Sequence, residues 1–120
     1  MTQATITLSQ YTRLTEKAWT GQVIELAKTL GFLTYHPWLS IHSARGWPDL
    51  ALVRERLILA ELKSETGKVS EAQRLWIESL RAAKVEVYVW RPSQFDEVVK
   101  ILTKRANPIQ LRMPLPGIVD

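Results

Sequence analysis

The sequence predicts a single α/β domain, a mixed β-sheet flanked by helices, and three observations carry that expectation. Apolar residues recur at helical spacing in residues 15–30, 70–83 and 93–103. Two apolar runs flank the charged stretch Arg54-Glu55-Arg56, which reads as a β-hairpin. Between the second and third helical stretches, Val85, Val87 and Val89 alternate with Glu86, Tyr88 and Trp90, as in a strand. The expected order is α-β-β-β-α-β-α, within residues 1–105, followed by an extended Pro-rich tail over 106–120.

Residues 1–11 have no clear period and are expected to form an arm. Thr15 caps the first helix and Gly31 stops it, because threonine accepts from the first turn and glycine takes the left-handed position after the last. Its apolar stripe is Trp19, Val23, Leu26, Ala27 and Leu30. Glu16 borders that stripe, whereas Glu25 lies about half a turn round and faces water. A first strand over 32–36 ends at Pro37, and a loop over 38–47 follows.

In the hairpin, an apex at 54–56 sets Val53 opposite Leu57, Ala51 opposite Leu59 and Asp49 opposite Glu61. Directly opposite residues share a face, with Cβ atoms roughly 4.5–5.5 Å apart. Lys63 points the same way as Glu61. A three-residue apex usually carries a left-handed glycine, and this one has none; a slip of one residue would part the two acids. Ser70 and Gln73 fit a capping box for the second helix, which is expected to bury Leu75, Trp76 and Leu80. Ser93 with Asp96 is expected to cap the third, with Phe95, Val98, Val99 and Leu102 inward.

The chain of 120 residues has 46% hydrophobic residues and is large enough for one core. It has no cysteine, which removes disulfides and thiolate metal sites. Residues 1–10 lack the basic and apolar regions of a signal peptide. No run approaches the ~20 apolar residues of a membrane span, so no membrane partner is expected and a cytoplasmic location is. The net charge of +4 leans towards a polyanionic partner.

Two facing carboxylates destabilise a sheet, and a divalent cation would offset the cost. Hard cations such as Mg²⁺ take carboxylate, carbonyl and water oxygens. Asp49, Glu61 and the Leu62 carbonyl would supply them, with Glu16 as a further acid. Such an ion polarises a phosphoryl oxygen and activates a water, and Lys63 would stabilise the charge that develops. The chemistry this suits is phosphodiester hydrolysis.

Gly46-x-Pro48-Asp49-Leu50, Glu61-Leu62-Lys63 and Gly67-x-x-Ser70-x-x-Gln73, with the Val-Glu-Val-Tyr-Val-Trp strand, resemble the VRR-NUC family of the PD-(D/E)XK nuclease superfamily. The resemblance covers about residues 15–102. It implies a restriction-endonuclease-like αβββαβ core with an extra C-terminal helix, and a stand-alone domain of phage or bacterial type. It implies that Asp49 and Glu61 bind Mg²⁺ or Mn²⁺, that Lys63 is the catalytic lysine, and that Glu16 and Gln73 match the helical acid and glutamine. It also implies a DNA substrate, cut structure-selectively (nicks, flaps or four-way junctions) in replication, recombination or repair, by a homodimer in a bacterial or phage-infected cell. The competing class is a non-catalytic nucleic-acid-binding or assembly module on the same fold, against which all five side chains are present.

Several residues keep two readings. Gln73 either completes the capping box or reaches the metal waters. His42 and Arg45 are candidate phosphate contacts, Trp47 a base-stacking surface or a lid on the core, and Lys68 a nucleic-acid contact or a solvated charge. His36 either caps strand packing or approaches the site. Glu65 reads as a surface charge.

Overall fold

A computed structural model describes residues 13–37 and 44–105. Helix α1 (Glu16–Thr29) leads into β1 (Leu33–Tyr35), β2 (Leu50–Val53) and β3 (Leu57–Leu62). Helix α2 (Glu71–Ala82), β4 (Val87–Trp90), a 3₁₀ turn (Pro92–Gln94) and α3 (Phe95–Thr103) complete the order. The sheet runs β1-β2-β3-β4, antiparallel across the first two pairs and parallel between β3 and β4. A parallel pair needs a crossover, and α2 supplies it. This mixed sheet between helices is the restriction-endonuclease-like arrangement the sequence predicts.

Local chemistry sets most of the boundaries. The Thr15 hydroxyl accepts from the Ala18 amide at 3.0 Å. Gly31 ends α1 at φ +90°, a conformation glycine adopts without strain. Ser70 and Gln73 form the full capping box of α2. The residue after the α2 C-cap is Lys84, at φ 66°, where glycine is usual.

The larger core lies between the sheet and helices α1 and α3. It gathers Trp19, Val23, Ala27 and Phe32 with Leu50, Leu52, Ile58, Ala60, Leu62, Trp90, Val98 and Leu102. The Trp19 indole N–H donates to the Trp90 carbonyl at 2.9 Å, so burying the ring leaves its polar edge satisfied. On the other face, Ile77 of α2 packs on Leu59 and Val87, with Ala51, Leu80, Val85 and Val89 around them. Strand β3 is thus covered on both faces, which is why it reads as a nearly continuous apolar run. Glu61 interrupts that run.

Two expectations change here. Helix α2 buries Ile77, while Leu75 is 66% exposed; Trp76 and Leu80 are half-buried. The apolar residues Leu75, Trp76, Ile77 and Leu80 allow two helical phases, and packing on Leu59 and Val87 selects the one through Ile77. Ser93 and Asp96 do not cap α3: its N-cap is Gln94, with no side-chain cap bond. Instead the Glu65 carboxylate accepts from the Ser93 amide at 3.0 Å, and Gln94 closes back on the Arg91 amide at 2.8 Å. Glu65 is therefore a structural acceptor for this turn, and not a bare surface charge. The arm over 1–11, most of the 38–47 loop and the tail over 106–120 lie outside the described residues.

Candidate metal centre

The hairpin register is the expected one. Val53 pairs with Leu57, Ala51 with Leu59 and Leu50 with Ala60, which sets Asp49 against Glu61. The two acids are cross-tied through the backbone. The Asp49 amide donates to Glu61 Oε2 at 3.2 Å, and the Leu62 amide donates to Asp49 Oδ2 at 3.0 Å. The slip of register that the glycine-free apex left open does not occur. Among the described residues the left-handed positions are Gly31, Gly46 and Lys84, so the apex turns without one. It closes on an Arg54 amide to Arg56 carbonyl bond of 3.1 Å.

Glu61 is 1% exposed, in the middle of the sheet. Burial, then the neighbouring Asp49 charge and its side-chain hydrogen bond, push its carboxyl up to about 8 against a smaller opposing pull from Lys63. Lys63 Nζ lies 3.8 Å from Glu61 Oε1 and 4.0 Å from Glu16 Oε1, so one ammonium spans both acids. Glu16 stands in the first turn of α1, and carboxylate oxygens of Glu16, Asp49 and Glu61 lie within 4.8 Å of one another. Glu25 faces the opposite way, lining a groove with Gln22 and Phe95. The helical phase read from the sequence is the observed one.

Gln73 completes the capping box, and its other amide atom contacts the buried acid. Its Oε1 accepts from the Ser70 amide at 2.9 Å while its Nε2 donates to Glu61 Oε1 at 2.5 Å. The cap of α2 is thereby wired to the buried acid. The loop before β2 is held against the same helix. The Trp76 indole N–H donates to the Arg45 carbonyl at 3.0 Å, and Trp47 meets Trp76 edge-on with ring centroids 5.0 Å apart. Gly46, at φ +88°, lies so close that an added Cβ would come within 2.4 Å of the Ala72 backbone. Any side chain there would push the loop off α2.

Two cavities meet at Asp49. One is lined by Arg45, Gly46, Trp47, Pro48 and Gln73, the other by Glu16, Lys17, Thr20 and Ile24. His36 lines both, and its Nδ1 lies 2.8 Å from the Asp49 carbonyl oxygen. The sequence reading left this contact open, although Pro37 was a signal for it. Lys68 is exposed and lines neither cavity. His42 lies outside the described residues.

The donor set fits a hard divalent ion: three carboxylates converge, one of them buried and destabilised in its charged form by another. A cation at this point would relieve the repulsion that raises Glu61. Among the described residues, no helix is long and apolar enough to cross a membrane. The VRR-NUC domain family matches this chain over residues 38–94. That span contains Asp49, Glu61, Lys63 and Gln73, and stops short of Glu16 and His36. No curated protein and no solved structure matches the chain.

Proposed function

We infer, from the match of the VRR-NUC domain, a nuclease family, over residues 38–94, a metal-dependent DNA endonuclease that hydrolyses phosphodiester bonds. The observation that carries the reading is the convergence of Glu16, Asp49 and Glu61 oxygens within 4.8 Å, with Lys63 Nζ within 4.0 Å of two of these acids. Asp49 and Glu61, with Glu16 and the Leu62 carbonyl, would hold Mg²⁺ or Mn²⁺. When bound, such an ion polarises a phosphoryl oxygen and lowers the pKa of a coordinated water.

The chain's own groups account for the rest. Lys63 sits beside the acids with a side chain only 13% exposed, so its charge acts with little screening by water on negative charge developing at a phosphate. Gln73 orients Glu61 through one amide nitrogen while its oxygen stays on the helix cap. The bond from the Leu62 amide to the Asp49 carboxylate fixes the first acid before any ligand arrives, which lowers the reorganisation needed in the reaction. Arg45 and Trp47 wall one of the two cavities at Asp49, where a phosphate and a base would meet a cation and a ring. A preference for branched or nicked DNA, and action as a homodimer, rest on the family resemblance. The reading of a non-catalytic module is disfavoured because acids, lysine and glutamine are all present and in contact.

Supercoiled plasmid, flap and four-way-junction substrates, each incubated with Mg²⁺, Mn²⁺ or EDTA, test this directly. Cleavage is expected with either metal, abolished by EDTA, and reduced about a hundredfold or more in Asp49→Asn and in Lys63→Ala. Cleavage that survives EDTA, or persists in both variants, overturns the mechanism. Metal-independent binding of DNA with no cleavage would establish the non-catalytic module instead.

A further inference from the structure

Asp49 owes its geometry to three backbone and side-chain ties, and one of them comes from outside the hairpin. Its amide donates to Glu61, its carboxylate accepts from the Leu62 amide, and its carbonyl faces His36 Nδ1 at 2.8 Å. A carbonyl oxygen only accepts, so Nδ1 of His36 carries the proton and the ring is fixed in orientation.

The reason a side chain is needed there is visible in the sheet register. Strand β1 pairs with β2 from Leu33–Val53 to Tyr35–Ala51. Two positions further on, the same alignment sets Pro37 against Asp49. Proline has no N–H to donate to a neighbouring strand, so the ladder cannot continue to Asp49. The imidazole of His36, one residue earlier, brings a donor to the Asp49 carbonyl instead. On the other side Pro48, fully buried, restricts the backbone that enters Asp49.

We propose that His36 is a positioning residue of the metal centre: by donating from Nδ1 to the Asp49 carbonyl it replaces the ladder bond that Pro37 forfeits, and so holds the Asp49 carboxylate in its ligating position. His36 acts through Asp49 and needs no contact with the ion. Partners behind metal ligands typically set affinity by about 10–100-fold. Because the ring is exposed, its loss removes little packing, and the effect should appear in metal binding more than in folding.

The inference rests on the metal-site reading of the proposed function, and one titration separates the two. Mn²⁺ binding to the full chain is measured by calorimetry at fixed pH for wild type, His36→Ala, His36→Asn and His36→Gln, with thermal unfolding of each metal-free protein alongside. An asparagine amide nitrogen falls near the place of Nδ1, and a glutamine amide nitrogen near that of Nε2. The expected result is an Mn²⁺ affinity about tenfold or more weaker in the alanine and glutamine variants, with asparagine restored close to wild type and all melting temperatures similar. Wild-type affinity in His36→Ala overturns the positioning role while leaving the metal centre standing. Rescue by glutamine and not asparagine overturns it too, by moving the function to Nε2. Failure of the wild type to bind Mn²⁺ at all overturns the metal centre, and this inference with it.

Discussion

The two ends of the β2–β3 hairpin are both rich in charge, and they use it in opposite ways. At the apex every charge is matched. Arg54 grips Glu55 through Nε at 2.5 Å and Nη2 at 2.8 Å, and reaches the Leu30 carbonyl at the end of α1 at 2.9 Å. Arg56 donates to the Ile101 and Lys104 carbonyls at the end of α3, at 2.6 and 2.7 Å, and pairs with Glu86 at 3.2 Å. Arg105 approaches Glu55 at 3.4 Å. Guanidinium groups at helix C-termini meet carbonyls that have no partner within the helix, and the negative end of the dipole. At the open end, Glu16, Asp49 and Glu61 converge, and Lys63 pairs with Glu16 and Glu61. The apex is thus a clamp whose charges are consumed by structure. The open end keeps an excess of negative charge, with one of its acids buried, which suits a cation site.

The largest effect that would test the contrast is at the apex. Arg56→Ala removes bonds to two carbonyls and leaves Glu86 without its guanidinium, in a site where the Arg56 side chain is 17% exposed. Truncating one member of such a cluster is expected to cost about 3 kcal/mol. That is a fall in Tm of roughly 10–20 °C for a domain of this size. Below the new Tm, cleavage per folded molecule should stay near wild type. A selective loss of activity with unchanged Tm would show that the apex belongs to the site and would dissolve the comparison.

How much of this was legible in the chain follows from the range of each interaction. Asp49, Glu61 and Lys63 share a face because strands alternate with period two, and the charged apex marked where the chain turns; both signals are local. Thr15, Gly31, Ser70 and Gln73 were readable for the same reason, since a cap bonds within its own first or last turn. The arginines were visible only as charge, because their partners, the carbonyls of Leu30, Ile101 and Lys104, carry no side-chain signature. Glu65 was misread since its partner, the Ser93 amide, is distant in sequence. The donation from Gln73 to Glu61 joins two elements distant in sequence, and the chain pointed only to the cap or to the metal waters.

A smaller effect sharpens the same contrast along α1. Glu16 contributes to the acidic cluster and Glu25 lines a separate groove. Glu16→Gln is expected to lower cleavage about tenfold, near 1.4 kcal/mol of transition-state stabilisation, and Glu25→Gln less than about twofold by the same relation. Rates measured under single-turnover conditions at saturating Mg²⁺ check this. Equal losses in the two variants would mean that the third carboxylate is not part of the reacting centre.

The smallest effect concerns stability without metal. The Glu61 carboxyl is raised from about 4.5 to about 8, so between those values the folded chain holds a proton that the unfolded chain has released. Stability falls with rising pH wherever the folded state binds more protons. The contribution from Glu61 is therefore complete below pH 4.5 and is lost as pH rises through about 8. Metal-free protein should melt lower at pH 8 than at pH 5, by roughly 3–6 °C, if about 1 kcal/mol of this contribution survives relaxation around the site. Asp49→Asn removes a charge that raises Glu61 and should shrink that fall, while burial keeps part of it. Glu61→Gln removes the titration and should flatten the profile. Asp49→Asn should also stabilise metal-free protein at pH 8 by about 1 kcal/mol while it abolishes cleavage, as expected where a site holds strain for function. Arg56→Ala, by contrast, should lower the curve at both pH values, since two of its bonds are to backbone carbonyls that do not titrate. If the wild-type profile were flat and Asp49→Asn destabilising, the open end would be as fully compensated as the apex, and the case for a cation there would fail on energetic grounds.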